Sequence, residues 1–121
     1  MQKTACFGAC PVYTLDIYTN QKVSLSAERF VEVGQGAFQR KLTHSEYSQI
    51  VQQFKESNFF GFEDQYRAQV SDLPTILLTF SDGARTKTIE LYGAGPAVLH
   101  QLVDSLQTMV DNAKWKRLKV K

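Results

Sequence analysis

No run of apolar residues in this 121-residue chain approaches the ~20 that a membrane-spanning helix requires, so the sequence offers no transmembrane segment. Met1-Gln2-Lys3 leads into Cys6 without the apolar stretch of a secretory signal, and the expectation is a soluble chain with no export signal. Cysteine is scarce. With only Cys6 and Cys10 the chain has no disulfide framework, and a chain of this size buries roughly two-thirds of its unfolded surface without one. Histidine is equally scarce: His44 and His100 are isolated from each other, too few to close a zinc site. No Ser-His-Asp order, close carboxylate pair or Walker-type loop is present, so no catalytic residue, metal ligand set or cofactor is expected.

Charge of one sign is also lacking: fourteen Lys and Arg face twelve Asp and Glu. The distribution is uneven, because Lys114, Lys116, Arg117, Lys119 and Lys121 fall in the last eight residues and leave the other 113 with a net charge of −3. Residues 114–121 therefore read as a basic tail whose Trp115, Leu118 and Val120 dock on the rest. Five charges in a short tail are weak grounds for nucleic-acid binding, and none is expected.

What is present is alternation followed by helical spacing, twice. Tyr13, Leu15 and Ile17 share one face of a strand over residues 12–18. Thr19-Asn20-Gln21-Lys22 turns it back into a strand through Val23 and Leu25. A third extended stretch is expected over residues 29–33. After Gly34-Gln35-Gly36, residues 37–42 form either a fourth strand or an extended lead into a helix. Thr43-His44-Ser45-Glu46 matches a capping box, and Tyr47, Ile50, Val51 and Phe54 form one apolar stripe behind it. Phe59-Phe60-Gly61-Phe62 is too aromatic for a solvated linker and is expected to plug the end of the core. Residues 75–80 and 85–92 flank Ser81-Asp82-Gly83-Ala84, whose Asp-Gly pair suits a tight hairpin. Pro96 then suits a helix start, and Leu99, Leu102, Val103, Leu106 and Val110 make a second stripe. This order predicts a single α+β domain over residues 1–121: an antiparallel sheet of about five or six strands, β-β-β-(β)-α-β-β-α, with two helices on one face.

Cys6-Phe7-Gly8-Ala9-Cys10-Pro11 is the most unusual local sequence. Four extended steps would hold the cysteine Cα atoms near ~13 Å apart, so any bond between them needs a turn, which Gly8 permits. The segment Cys6 to Tyr13, together with Ser71-Asp72-Leu73-Pro74, Arg85-Thr86-Lys87 and Tyr92-Gly93-Ala94-Gly95-Pro96, resembles the bacterial family called domain of unknown function 6438, over nearly the whole chain from Cys6 to about Trp115. The resemblance implies a small bacterial protein, of a kind often exported or lipid-anchored in the envelope. It implies no particular activity, and this chain departs from the pattern in having no signal or lipobox.

Four readings of Cys6 and Cys10 stand side by side. A structural disulfide would pin the loop to the first strand if the family's exported habit applies. Two reduced thiols suit a cytosolic chain. A redox pair needs a thiolate at a helix N-terminus or beside a cation, yet this segment runs into a strand. Metal handling is suggested by a likeness to the Cys-x3-Cys-Pro of thioredoxin-fold copper chaperones, whose downstream His this pattern lacks. His44, in a first helical turn, and His100, beside an apolar stripe, read as ordinary surface or boundary residues. Gly93 and Gly95 read as a capping turn; no third glycine follows as in a dinucleotide fingerprint. Asp72, Lys87, Tyr92, Gly93 and Gly95 are the positions expected to share a binding surface with the cysteine loop. The resulting expectation is a monomeric, non-enzymatic binding or interaction module for an unknown protein or small ligand. The alternative is a thiol-dependent redox or metal-handling protein using Cys6 and Cys10.

Overall fold

Alternation in the first third of the chain builds one half of a sheet, and the Asp82-Gly83 hairpin builds the other. The computed structural model describes residues 1–112 and 114–118. Lys119, Val120 and Lys121 of the basic tail lie outside the described residues. Strands β1 (Gln2–Lys3), β2 (Val12–Ile17), β3 (Lys22–Arg29) and β4 (Gly36–Lys41) precede helix α1 (His44–Glu56) and a 3-10 turn at Phe59–Gly61. Then come β5 (Gln65–Arg67), β6 (Ile76–Ser81), β7 (Thr86–Tyr92), helix α2 (Ala97–Asn112) and β8 (Lys116–Arg117). All eight strands form one sheet in the order β5-β7-β6-β1-β2-β3-β4-β8. Every neighbouring pair is antiparallel except β5 with β7, so the fold is α+β with a mostly antiparallel mixed sheet.

The strand count exceeds five or six because β1, β5 and β8 are only two or three residues long and carry no alternation of their own. The third stretch expected at residues 29–33 does not form a separate strand. Instead β3 runs unbroken to Arg29, and Phe30 takes a left-handed φ of 52°, which ends the extended run. β4 is a true strand, paired with β3 from Lys22↔Lys41 to Ala27↔Gly36.

One sheet face collects Tyr13, Leu15, Val23, Leu25, Ala27, Phe38, Leu78, Ile89 and Leu91, all buried. Both helices lie on that face. Phe54 of α1 stacks on Phe80 with ring centroids 5.1 Å apart, and Gln107 of α2 accepts from Tyr13 and Lys3. Leu99, Leu102, Val103, Leu106 and Val110 complete the core, as their spacing predicts. Burying each of these side chains favours folding by roughly 1.5–3 kcal/mol. The opposite face presents Thr14, Ser24, Gln39, Thr79 and Thr88, the polar half of the alternation.

The capping box at the start of α1 is complete. The Glu46 amide donates to Thr43 Oγ1 at 3.1 Å, and the Thr43 amide donates to Glu46 Oε1 at 3.0 Å. The Thr43 amide holds the Glu46 carboxyl below its usual range, with help from the Thr43 hydroxyl and Arg40. Thr43→Ala removes one half of this exchange and is expected to cost about 1 kcal/mol in urea denaturation at neutral pH. Because a depressed carboxyl contributes only while ionised, the cap's contribution falls away as pH drops through the Glu46 titration below 4.5, its ordinary value.

Candidate functional site

The connection from β1 to β2 is the cysteine segment, and it folds back on itself. The Cys6 and Cys10 Cα atoms are 5.8 Å apart with their sulfurs at disulfide distance. Gly8 provides the turn with a φ of +148° that side chains rarely adopt. The loop is tied to the segment before β6: Phe7 donates its amide to the Asp72 carbonyl at 3.3 Å, and Thr4 to the Thr75 carbonyl at 3.0 Å. Thr75 answers by donating to Thr4 Oγ1 at 2.9 Å. Asp72 sits left-handed with φ 67°, and the next amide, of Leu73, donates to the Tyr92 hydroxyl at 3.4 Å. Arg67 lies over the Tyr92 ring, 4.9 Å from its centroid, and also pairs with Glu90.

Asp72, Tyr92 and Gly93 thus come together beside the cysteine loop. Gly93 allows a close approach, since a Cβ there would lie 2.6 Å from the Leu73 side chain, and its φ of +65° is left-handed. Gly95 stands slightly apart, against Leu91, His100 and Tyr66 at the start of α2. The structure does not bring Lys87 to this end. Five residues before Tyr92 along β7, ~17 Å of extended chain, it pairs with Asp64 at 3.3 Å and donates to the Phe60 and Phe62 carbonyls.

The same end carries apolar side chains that the motif pattern did not single out. Phe7 is 87% exposed, Phe30 60% and Val70 53%, with Leu73 partly exposed beside them in the fold. Their signal in the sequence is slight: a Phe inside the cysteine loop, and Val70 and Leu73 flanking Ser71-Asp72 in an otherwise polar stretch.

His44 is away from this end, whereas His100 stands beside Gly95 in the turn that follows Tyr92 and Gly93. His44 lies on α1 near Gln21 and Ser48, and His100 Nε2 is 3.1 Å from the Ala94 carbonyl, where it tethers the turn before α2. No group of three or more His, Cys, Asp or Glu side chains positioned to hold a metal occurs among the described residues. The buried Tyr13 hydroxyl and Lys3 ammonium both donate to Gln107 Oε1, at 2.5 and 2.7 Å. Burial pushes the Tyr13 phenol up, aided by the Asp111 charge, and pushes Lys3 down. These groups fasten α2 to the sheet.

The signature segments therefore fall at defined places: the cysteine loop, Ser71-Asp72-Leu73-Pro74 and the Tyr92-Gly93 turn at one end, and Arg85-Thr86-Lys87 at the other. A family model described as domain of unknown function (DUF6438) matches residues 1–110. The chain belongs to the DUF6438 family. No curated protein and no solved structure matches it. The matched part of this DUF6438 chain ends inside α2, so β8 falls beyond it. There Trp115 donates its indole N–H to the Val110 carbonyl at 3.0 Å, and Phe38 packs under Arg117, which also donates to the Gln35 carbonyl. Arg117 is thereby an edge-strand residue tied to β4. No helix among the described residues is long and apolar enough to cross a membrane.

Proposed function

We propose that this DUF6438 chain is a non-enzymatic binding module that docks a partner protein on the cysteine-loop end of its sheet, with the Cys6–Cys10 bond as a structural staple. The observation that carries the reading is the joint presence there of exposed apolar side chains and restrained backbone. Phe7, at 87% exposure, projects from a loop closed at both cysteines and hydrogen-bonded to Asp72. A large apolar side chain held this way loses little further freedom on binding, so its burial translates more fully into affinity. Asp72, Tyr92 and Gly93 brace the neighbouring loop, and Val70 and Leu73 extend the apolar surface. In this reading the cysteines act through shape.

The test is site-specific photo-crosslinking in intact bacteria expressing the full chain, with benzoylphenylalanine replacing Phe7 in one strain and Ala84, at the opposite end, in another. A discrete crosslinked species at position 7, absent at 84 and lost on adding Val70→Asp, is the expected result. Equal crosslinking at both positions would sink the docking face. Turnover of a disulfide substrate by the purified chain, lost in Cys6→Ser, would instead establish the thiol-dependent alternative.

A further inference from the structure

Three segments distant in sequence meet at one outer corner of the sheet, at the opposite end from the cysteine loop: the start of β3, the end of β4, and β8. The strand registers fix which side chains share the face turned away from the helices. In the first row Lys22 stands directly opposite Lys41, and Tyr18, whose amide donates to the Lys22 carbonyl at 2.9 Å, continues the row on the other side. Two residues further along β3, Ser24 pairs with Gln39, and Gln39 with Lys116. In the third row Ser26 pairs with Ala37, whose carbonyl accepts from the Leu118 amide at 2.8 Å. Lys22, Lys41 and Lys116 are all exposed, flanked by Tyr18 at 51% exposure and Leu118 at 38%.

Like charges directly opposite each other on neighbouring strands oppose pairing. Lys22 and Lys41 nevertheless hold that position, and none of the three lysines has an ion-pair partner among the described residues. The acidic residue in these rows is Asp16, which pairs with Ser24 on the side away from Lys116; Glu28 lies further along β3 toward the cysteine loop. Three lysines against one aspartate leave the corner positive, and Lys114, exposed two residues before Lys116, adds to it. β8 lies beyond the family-matched residues 1–110, so the corner belongs to this chain and is not read from its family.

We infer that this corner adsorbs to a membrane surface that carries anionic phospholipid headgroups. Ser24, Ser26 and Ala37 between the lysines are short, so the ammonium groups rise from a level sheet surface and do not line a pocket that would enclose one free phosphate. The arginines of this edge, whose planar forks suit individual phosphates or carboxylates, are spent elsewhere: Arg40 on Glu46 at 3.1 Å, and Arg117 on the Gln35 carbonyl. Single-stranded nucleic acid calls for successive stacked bases. Trp115 gives its indole N–H to the Val110 carbonyl, which leaves Tyr18 as the exposed ring of these rows. Lysines act as point charges on flexible stems and are drawn to an anionic leaflet, while a tyrosine at their margin settles at headgroup level. The corner lies away from Phe7, so the inference stands independently of the docking face proposed there.

The test is cosedimentation of the full chain with vesicles of phosphatidylcholine containing about one-third phosphatidylglycerol, compared with pure phosphatidylcholine vesicles. Fluorescence anisotropy with a labelled oligothymidylate provides the nucleic-acid comparison. Binding to the mixed vesicles, absent on phosphatidylcholine alone and weakened by rising salt, is the expected result. Lys41→Gln should lower the partition roughly fivefold, whereas Lys55→Gln, which removes the same charge from an exposed position on α1, should leave it unchanged. Asp16→Asn should raise the partition, a gain that damage to the fold cannot imitate. Phe7→Ser should have no effect on it, which separates this test from that of the cysteine-loop end. Equal losses in Lys41→Gln and Lys55→Gln, loss in Phe7→Ser, equal binding to the two kinds of vesicle, tighter binding to the oligothymidylate, or no vesicle binding at low salt would each overturn the inference.

Discussion

Phe59→Ala is expected to destabilise the protein by about 3–5 kcal/mol, a large share of what a chain of this size has to lose. Phe59 is 1% exposed in the 3-10 turn after α1. Its ring meets Phe54 at 5.5 Å, Phe80 edge-on at 5.9 Å and Phe60 at 6.2 Å between centroids. Truncation removes the ring's transfer energy and leaves a cavity between α1 and β6, which the capped helix and the paired strand cannot close by shifting. Urea denaturation provides the check, with an unchanged slope and a midpoint moved far down. Phe60→Ala gives the internal comparison. Phe60 is only partly buried, with Arg85 4.0 Å over its ring, and its loss should cost less than half as much. A Phe59→Ala penalty near 1 kcal/mol would mean that the aromatic turn is an accessory to the core instead of its plug.

The aromatic plug could be read from the sequence because four nearby residues, Phe59-Phe60-Gly61-Phe62, cannot all be solvated. The same holds wherever local chemistry decides the outcome. Thr43 and Glu46 close a box within four residues. Asp82 accepts the Ala84 and Arg85 amides across the tight hairpin turn. Pro96 stands immediately before α2, its carbonyl accepting from Leu99. What was not legible depends on partners distant in sequence. Gln2 and Lys3 have no pattern of their own and become a strand because β2 and β6 offer edges on both sides. Gln65–Arg67 lie in a polar stretch and are ordered by parallel pairing with β7. Lys116–Arg117, in what reads as a solvated basic tail, add to the edge of β4.

The candidate site divides along the same line. That Gly8 would turn the cysteine loop back could be argued from local geometry. That Asp72 and Tyr92 would stand beside it while Lys87 would not depends on strand direction. Tyr92 ends β7 at the level where β6 begins, and Lys87 pairs with Phe80 near the other end. Phe7 was visible as part of the signature but not as a protruding side chain, because exposure belongs to the assembled sheet.

Cys6→Ser with Cys10→Ser, or reduction of the native chain, is expected to lower stability by about 2 kcal/mol and to leave the sheet and helices in place. The bond closes a loop of a few residues, for which the loss of unfolded-state entropy is at the low end of the range for disulfides. The core needs no help from it, since Leu78, Ile89 and Leu99 are fully buried away from the loop. The local consequence should be sharper than the global one. With the cysteines released, the segment is held by the Phe7–Asp72 and Thr4–Thr75 hydrogen bonds without its covalent closure, so its amides should exchange faster while those of β3 and β7 keep their protection. Docking through Phe7 should weaken in the double variant, because the side chain must then be ordered at the moment of binding. A redox-buffer titration separates this from the thiol-dependent alternative. A structural staple stays closed to potentials below about −300 mV, whereas a bond that opens near the potential of the glutathione pool would make the cysteines themselves the working groups. If the variant instead unfolds at room temperature, the loop is part of the core's foundation, and loss of docking in that variant would say nothing about Phe7. Phe7→Ser on the intact disulfide then carries the test, because it removes the ring and leaves both sulfurs bonded.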